Sequence, residues 1–265
     1  MKPFYALFLL LPALPASAQF ELGGAYSLSV PQQEMAKNIQ PLHSLNSTLL
    51  YRLPGKMSRV SFGAELGIGI YAMVSKDQDL RFPDGSGINT TFLYTSNVFQ
   101  ATLLSRVNLF EKAKLNPYIN GKGGYANFFS NVTVEDPDDP SACRPVERKT
   151  LISDNSFYLA YGGGVELDLS LFSRKQKPGV AIIDISINSV RGGKLDYINT
   201  KNIQEHIHTD PNNPAPAPTP VKSTPLNLRF INLSTQTVHE HQVAEVYNSP
   251  LRMLDIRIGV RFMLD

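Results

Sequence analysis

From Leu254 the chain alternates to its last residue: Leu254, Ile256, Ile258, Val260, Phe262 and Leu264 at even positions, Asp255, Arg257, Gly259, Arg261, Met263 and Asp265 at odd ones. Side chains of a β-strand project to opposite faces with period two, so this strand has one oily face and one face bearing charges of both signs. Two settings suit such a strand. In a soluble sandwich the oily face meets a core and the ionic face meets water; in a membrane barrel the oily face meets lipid and the ionic face a polar lumen.

The same alternation recurs along the chain. It is readable near 20–30, 44–53, 59–75, 91–109, 117–134, 156–172, 180–198 and 251–264, which makes roughly eight strands, an even number and the smallest used by membrane barrels. Within 59–75, Val60, Phe62, Ala64, Leu66, Ile68, Ile70, Ala72 and Val74 form one face, and Glu65, Tyr71, Met73 and Ser75 belong to the other. The connections alternate too: "LPGKMS", "FEKAKLN" and "SRKQKPG" are tight and basic, whereas 31–43, 76–90, 135–155 and 199–248 are longer and polar. An up-and-down barrel with both termini on one side of the membrane needs this sorting of loops, and a sandwich does not. The expected fold is therefore all-β: a single up-and-down antiparallel transmembrane β-barrel of about eight strands, with long external loops. The last loop, 199–248, holds "DPNNPAPAPTP", a stretch that cannot join a ladder.

The N-terminal stretch supports export. Lys2, the apolar "FYALFLLLPAL" and Ala16-Ser17-Ala18 read as a cleaved signal peptide over 1–18, leaving 19–265 as the barrel domain. Later apolar stretches are too short and interrupted for a spanning helix, and the sole cysteine, Cys143, permits no internal disulfide. A net charge of +2 without basic clustering gives no reason to expect nucleic acid as a partner.

A barrel of this size fills its lumen with its own side chains. By parity these include Glu65, Arg106, Lys122, Glu166, Asp168, Asp184, Asp255, Arg257 and Arg261, with acids and bases nearly balanced. Such charges can satisfy one another as a structural plug, or line a narrow ion path. His206, His208, His239 and His241 fall in the last loop as two HxH pairs, a donor set for Zn²⁺, Cu²⁺ or Ni²⁺ that matches no established ligand spacing. "VEDPDDPSA" is acidic but lacks the ordered ligands of a calcium loop. His43, Ser44 and Glu34 invite comparison with barrel enzymes that modify lipid A, yet adjacent residues of a strand face opposite ways. The "GGG" at 162–164 is mid-strand, with no helix after it to make a phosphate loop, and fits relief of crowding instead.

"LNPYINGKGGYANF", "YGGGVELDLSLF" and the closing "IRIGVRFML", together with a signal peptide ending in "AQF", resemble the outer-membrane β-barrel family of the Bacteroidota that includes PorT-like proteins. The resemblance implies residence in the outer membrane, contact with lipid and lipopolysaccharide, and an association with secretion across that membrane. The resulting expectation is a non-enzymatic barrel without cofactor, whose external loops meet a protein partner. A small-solute channel and a lipid A-modifying enzyme stand as alternatives.

Overall fold

The computed structural model describes residues 19–81, 87–111, 113–134, 147–171, 180–201, 223–231 and 238–264. Among these residues nine strands follow one another: β1 (Gln19–Pro31), β2 (Leu42–Arg52), β3 (Val60–Arg81), β4 (Gly87–Asn108), β5 (Leu115–Val134), β6 (Glu147–Asp168), β7 (Ala181–Ile198), β8 (Ser223–Ile231) and β9 (Val238–Leu264). A single helical turn, α1 (Met35–Asn38), lies between β1 and β2.

Every pairing is antiparallel, and the sheet closes because β9 pairs with both β7 and β1. Eight strands thus make an up-and-down barrel wall, and β8 is a ninth that pairs with β9 where β9 rises past the end of β1. Following ladder partners once round the wall from Leu22, through Leu49, Ala64, Leu103, Gly123, Leu159, Arg191 and Arg252, leads back to Gln32, just past the end of β1 and ten residues up from the start. Closure with that stagger tilts the strands within the roughly 35–45° usual for barrels.

The parity read from the sequence is the parity of the wall. On β9 Leu254, Ile256, Ile258, Val260, Phe262 and Leu264 are exposed, while Asp255, Arg257 and Arg261 are buried. Outward apolar side chains continue round the barrel through Leu22, Leu45, Leu66, Leu103, Ile119, Leu159 and Ile187. Outward aromatic pairs border this belt, Phe20 with Tyr51 toward the end that carries the termini and Tyr125 with Phe157 toward the other.

The structure departs from the sequence expectation above the belt. Residues 76–81 and 87–90, expected as parts of a loop, continue β3 and β4 as paired strands, from Lys76 opposite Phe92 to Arg81 opposite Gly87. β6 likewise begins at Glu147, inside the loop expected over 135–155. The span 199–248 contains β8 and the first part of β9 rather than one long loop. Beyond lipid a strand has no need of an apolar face, so "KDQDLR" and "ERKT" carry no alternation to betray them. Parity also breaks within β3, where a bulge inserts Tyr71 between Ile70 and Ala72. Tyr71 and Ala72 are both buried and Met73 is 65% exposed, reversing the faces expected from Ala72 onward.

Candidate functional site

The barrel interior is stratified. At the far end from the termini it is apolar: Leu42, Tyr71, Val98, Phe128, Leu195, Tyr197, Leu251 and Met253 pack with Met35 of α1 and with Ile39, both fully buried. Asn38 donates from Nδ2 to the Tyr197 hydroxyl at 3.1 Å, and its carbonyl accepts from the Thr200 N–H at 2.8 Å. Lys201 Nζ reaches the Ala36 carbonyl at 2.6 Å. These bonds hold α1 as a cap over the lumen.

Below the cap lie two ionic layers. In the middle one Glu65 of β3 receives Lys122 Nζ from β5 at 3.2 Å, Arg257 Nη1 from β9 and the Thr48 hydroxyl from β2 at 3.1 Å. Arg257 Nη2 donates to Thr48 Oγ1 at 2.6 Å. Asp255, one inward step along β9, accepts from the Ser29 hydroxyl at 2.8 Å.

The layer nearer the termini is denser. Glu166 Oε1 accepts from Arg106 Nη1 at 2.7 Å and from Arg261 Nη2 at 2.6 Å, and its Oε2 accepts from Asn108 Nδ2 at 2.7 Å. Asp184 Oδ2 lies 2.7 Å from Arg106 Nη1 and 3.1 Å from Arg261 Nε, while its Oδ1 accepts from the Tyr118 hydroxyl at 2.5 Å. Glu21, with no exposed surface, sits between Arg52 Nη2 at 2.6 Å and Arg261 Nη1. The Arg106 guanidinium also stacks 3.8 Å from the centroid of the Tyr118 ring. Each carboxylate here meets at least two cations or donors, the condition under which charges can remain paired inside a low-dielectric shell.

Of the residues selected by parity, Glu65, Lys122, Asp255 and Arg257 share the middle layer, and Arg106, Glu166, Asp184 and Arg261 the lower one. Asp168 is half-buried, one inward step along β6 from Glu166. β6 ends at that residue, and its Oδ1 accepts the Ser170 N–H at 2.8 Å as the cap of the short turn Leu169–Leu171. Glu21 and Arg52 join the layer without having been expected there, although Glu21 has the inward parity of Ala25 and Ser27; Arg52 is the last residue of β2. His206 and His208 lie outside the described residues, as does 135–142 of the acidic segment, and for His239 and His241 only the backbone on β9 is described. His43 faces outward, its Nδ1 2.5 Å from the Tyr26 hydroxyl, whereas Ser44 faces the lumen.

Between the apolar cap and the middle layer remains a void of about 20 Å³, bounded by Ser29, Glu65, Lys122, Tyr158 and Asp255 among others. It is the size of roughly one water molecule and is polar enough to hold one.

A closed sheet that is apolar outside and ionic inside inverts the arrangement of a soluble barrel, and it is the build of a membrane-spanning β-barrel. No known family profile matches the chain, and no curated protein matches it by sequence. Among solved structures it is similar to Neisserial surface protein A, at 8% identity and a TM-score of 0.36 over 92% of this chain and 96% of that one. It is similar to a major outer membrane protein from Thermus thermophilus, at 10% identity and a TM-score of 0.46 over 94% and 100%. A third is the outer membrane protease OmpT from Escherichia coli, at 8% identity and a TM-score of 0.30 over 93% and 96%.

Proposed function

We propose that this protein is an outer-membrane β-barrel, exported by a signal peptide cleaved after residue 18, with a sealed lumen and a non-enzymatic role in structure, interaction or secretion. The observation that carries this reading is the close packing of the interior by the described residues. Two ionic layers and an apolar cap succeed one another along the axis, and the void between them accepts about one water. A pore would need a continuous wet path. The polar strand pairs β3–β4, β5–β6 and β8–β9, which continue past the apolar belt, are then the surface offered to a protein partner. The likeness of "YGGGVELDLSLF" and "IRIGVRFML" to PorT-like barrels favours a partner in secretion.

Purified protein inserted into planar lipid bilayers tests the reading. It should insert and leave the bilayer insulating, and Glu65→Gln or Arg261→Gln, which loosen one layer each, should admit brief conductance events. A steady conductance of the unaltered protein, with ion selectivity changed by Glu65→Gln, would make it a small-solute channel instead.

A further inference from the structure

At the rim away from the termini, three cations gather on the outside of the wall. Arg191 of β7 and Arg252 of β9 are direct ladder partners, and Lys194 stands just above, opposite Pro250. Arg191 and Lys194 are exposed, and Arg252 is half-buried. Like charges placed opposite each other weaken a sheet unless something neutralises them. Among the described residues no carboxylate lies within ion-pair distance of any of the three.

Their height on the barrel identifies what can. On β9 the outward residue below Arg252 is Leu254, where the apolar face of that strand begins. On the other side of Arg191 its β6 partner is Leu159, 70% exposed, with Phe157 next above. Arg191 lies over the Tyr161 ring at 5.7 Å, which holds the guanidinium against the wall at the edge of the belt. The cations therefore stand where lipid tails give way to headgroups.

The wall is recessed there. The β1–β9 ladder ends at Pro31 opposite Met253, one further bond runs from the Gln32 N–H to the Arg252 carbonyl, and where β1 leaves, Gln32 and Gln33 bound a hollow of about 240 Å³ with Ser189, Arg191 and Arg252. A second hollow of about 290 Å³ shares Gln32, Gln33 and Arg252 and continues to Lys194 and Asn248; Glu34 borders it on the α1 side. Gln33 has positive φ (57°), a backbone setting that few residues other than glycine adopt and that fixes the turn beside the hollow.

We propose that Arg191 and Arg252, with Lys194 above them, seat the phosphate of an anionic lipid headgroup in the outer leaflet, the two glutamine amides serving as neutral donors. This rests on the outer-membrane reading above. Guanidinium forks match phosphate oxygens in pairs, and basic residues at a bilayer surface hold anionic headgroups.

The test uses the full-length mature protein folded in detergent, with native mass spectrometry reading the fraction that retains bisphosphorylated lipid A or the same lipid stripped of phosphate. Bisphosphorylated lipid should be retained and the stripped lipid lost. Arg191→Gln with Arg252→Gln should weaken retention roughly tenfold or more, whereas Lys56→Gln, on a turn at the opposite end, should leave it unchanged. Heat-dependent gel mobility of each sample reports whether the barrel has formed. Retention indifferent to phosphate or to the paired arginine change, in protein that does show the mobility shift, overturns the lipid seat and leaves the membrane reading standing. Full displacement of the lipid by millimolar inorganic phosphate also overturns it, assigning the cations to a free anion. Protein that shows no shift removes both readings together.

Discussion

Arg261 Nη2 meets Glu166 Oε1 at 2.6 Å, joining β9 to β6, two strands that share no ladder. The backbone closes the wall by hydrogen bonds between neighbours; contacts of this kind brace it across its interior. Glu166 is also held by Arg106 and Asn108, so its loss would leave two buried guanidinium groups partly unpaired.

Glu166→Gln should therefore destabilise the barrel by about 3 kcal/mol, at the lower end for a broken buried pair because Asp184 and Glu21 still face the same arginines. Chemical unfolding in detergent, followed by intrinsic tyrosine fluorescence, measures it. Combined with Arg261→Gln in a double-mutant cycle, the pair should show a coupling of about 1–3 kcal/mol. Additive losses would mean that the two side chains do not brace each other.

A second prediction concerns Gly164. A Cβ built there would come within 2.3 Å of the Ile185 carbonyl oxygen and 2.6 Å of the Tyr118 hydroxyl. Gly164→Ala must push Tyr118 aside and break its 2.5 Å bond to Asp184, removing the stacking surface of Arg106 as well. Folding yield in detergent should fall sharply. Adding Tyr118→Ala should restore part of it and adding Tyr118→Phe should not, because only the smaller side chain relieves the clash with the ring, while the approach to the Ile185 carbonyl remains in both. Equal yields for Gly164→Ala and the unaltered protein would contradict the packing described.

The bulge at Tyr71 makes a prediction that an unbroken strand would reverse. Met73 is 65% exposed and Ala72 only 7%. In the folded protein Met73→Cys should react readily with a small maleimide and Ala72→Cys should resist it until the barrel is unfolded. Reaction at 72 and protection at 73 would place the register one residue away from the one found here.

How far the sequence disclosed this architecture follows from where each strand lies. Within the belt, lipid on one side and packed charge on the other force strict alternation, so the faces of β9 and the inward charges from Glu65 to Arg261 were legible. The Tyr71 bulge was not, because one inserted residue leaves no compositional mark and simply shifts the parity that follows. The upper parts of β3, β4, β6 and β9 were also hidden, since outside lipid neither face must be apolar. The cap formed around Met35 and Ile39 has the sequence character of a loop, as α1 spans only four residues and shows no helical period. Glu21 and Arg52 belong to the ionic layer through distances across the lumen, which parity alone does not give.

Met35 supplies a test of that cap. It is fully buried in the upper apolar cluster, and truncating a buried methionine to alanine costs about 2–5 kcal/mol in a well-packed core. Met35→Ala should lower the temperature at which the barrel loses its folded gel mobility while leaving the ionic layers intact, so its effect should add to that of Glu166→Gln. An unchanged transition would show that α1 does not pack into the lumen.

The claim on which everything else depends is that the oily face of the wall looks outward. Its most direct measurement is the gel mobility of the protein taken from an outer-membrane fraction, unheated against boiled, because a closed barrel resists detergent unfolding until heated. A folded band that shifts on boiling is the predicted result. Protein recovered in the soluble periplasmic fraction, with a single mobility before and after heating, would mean that the apolar faces pack on one another and that the barrel has been described inside out.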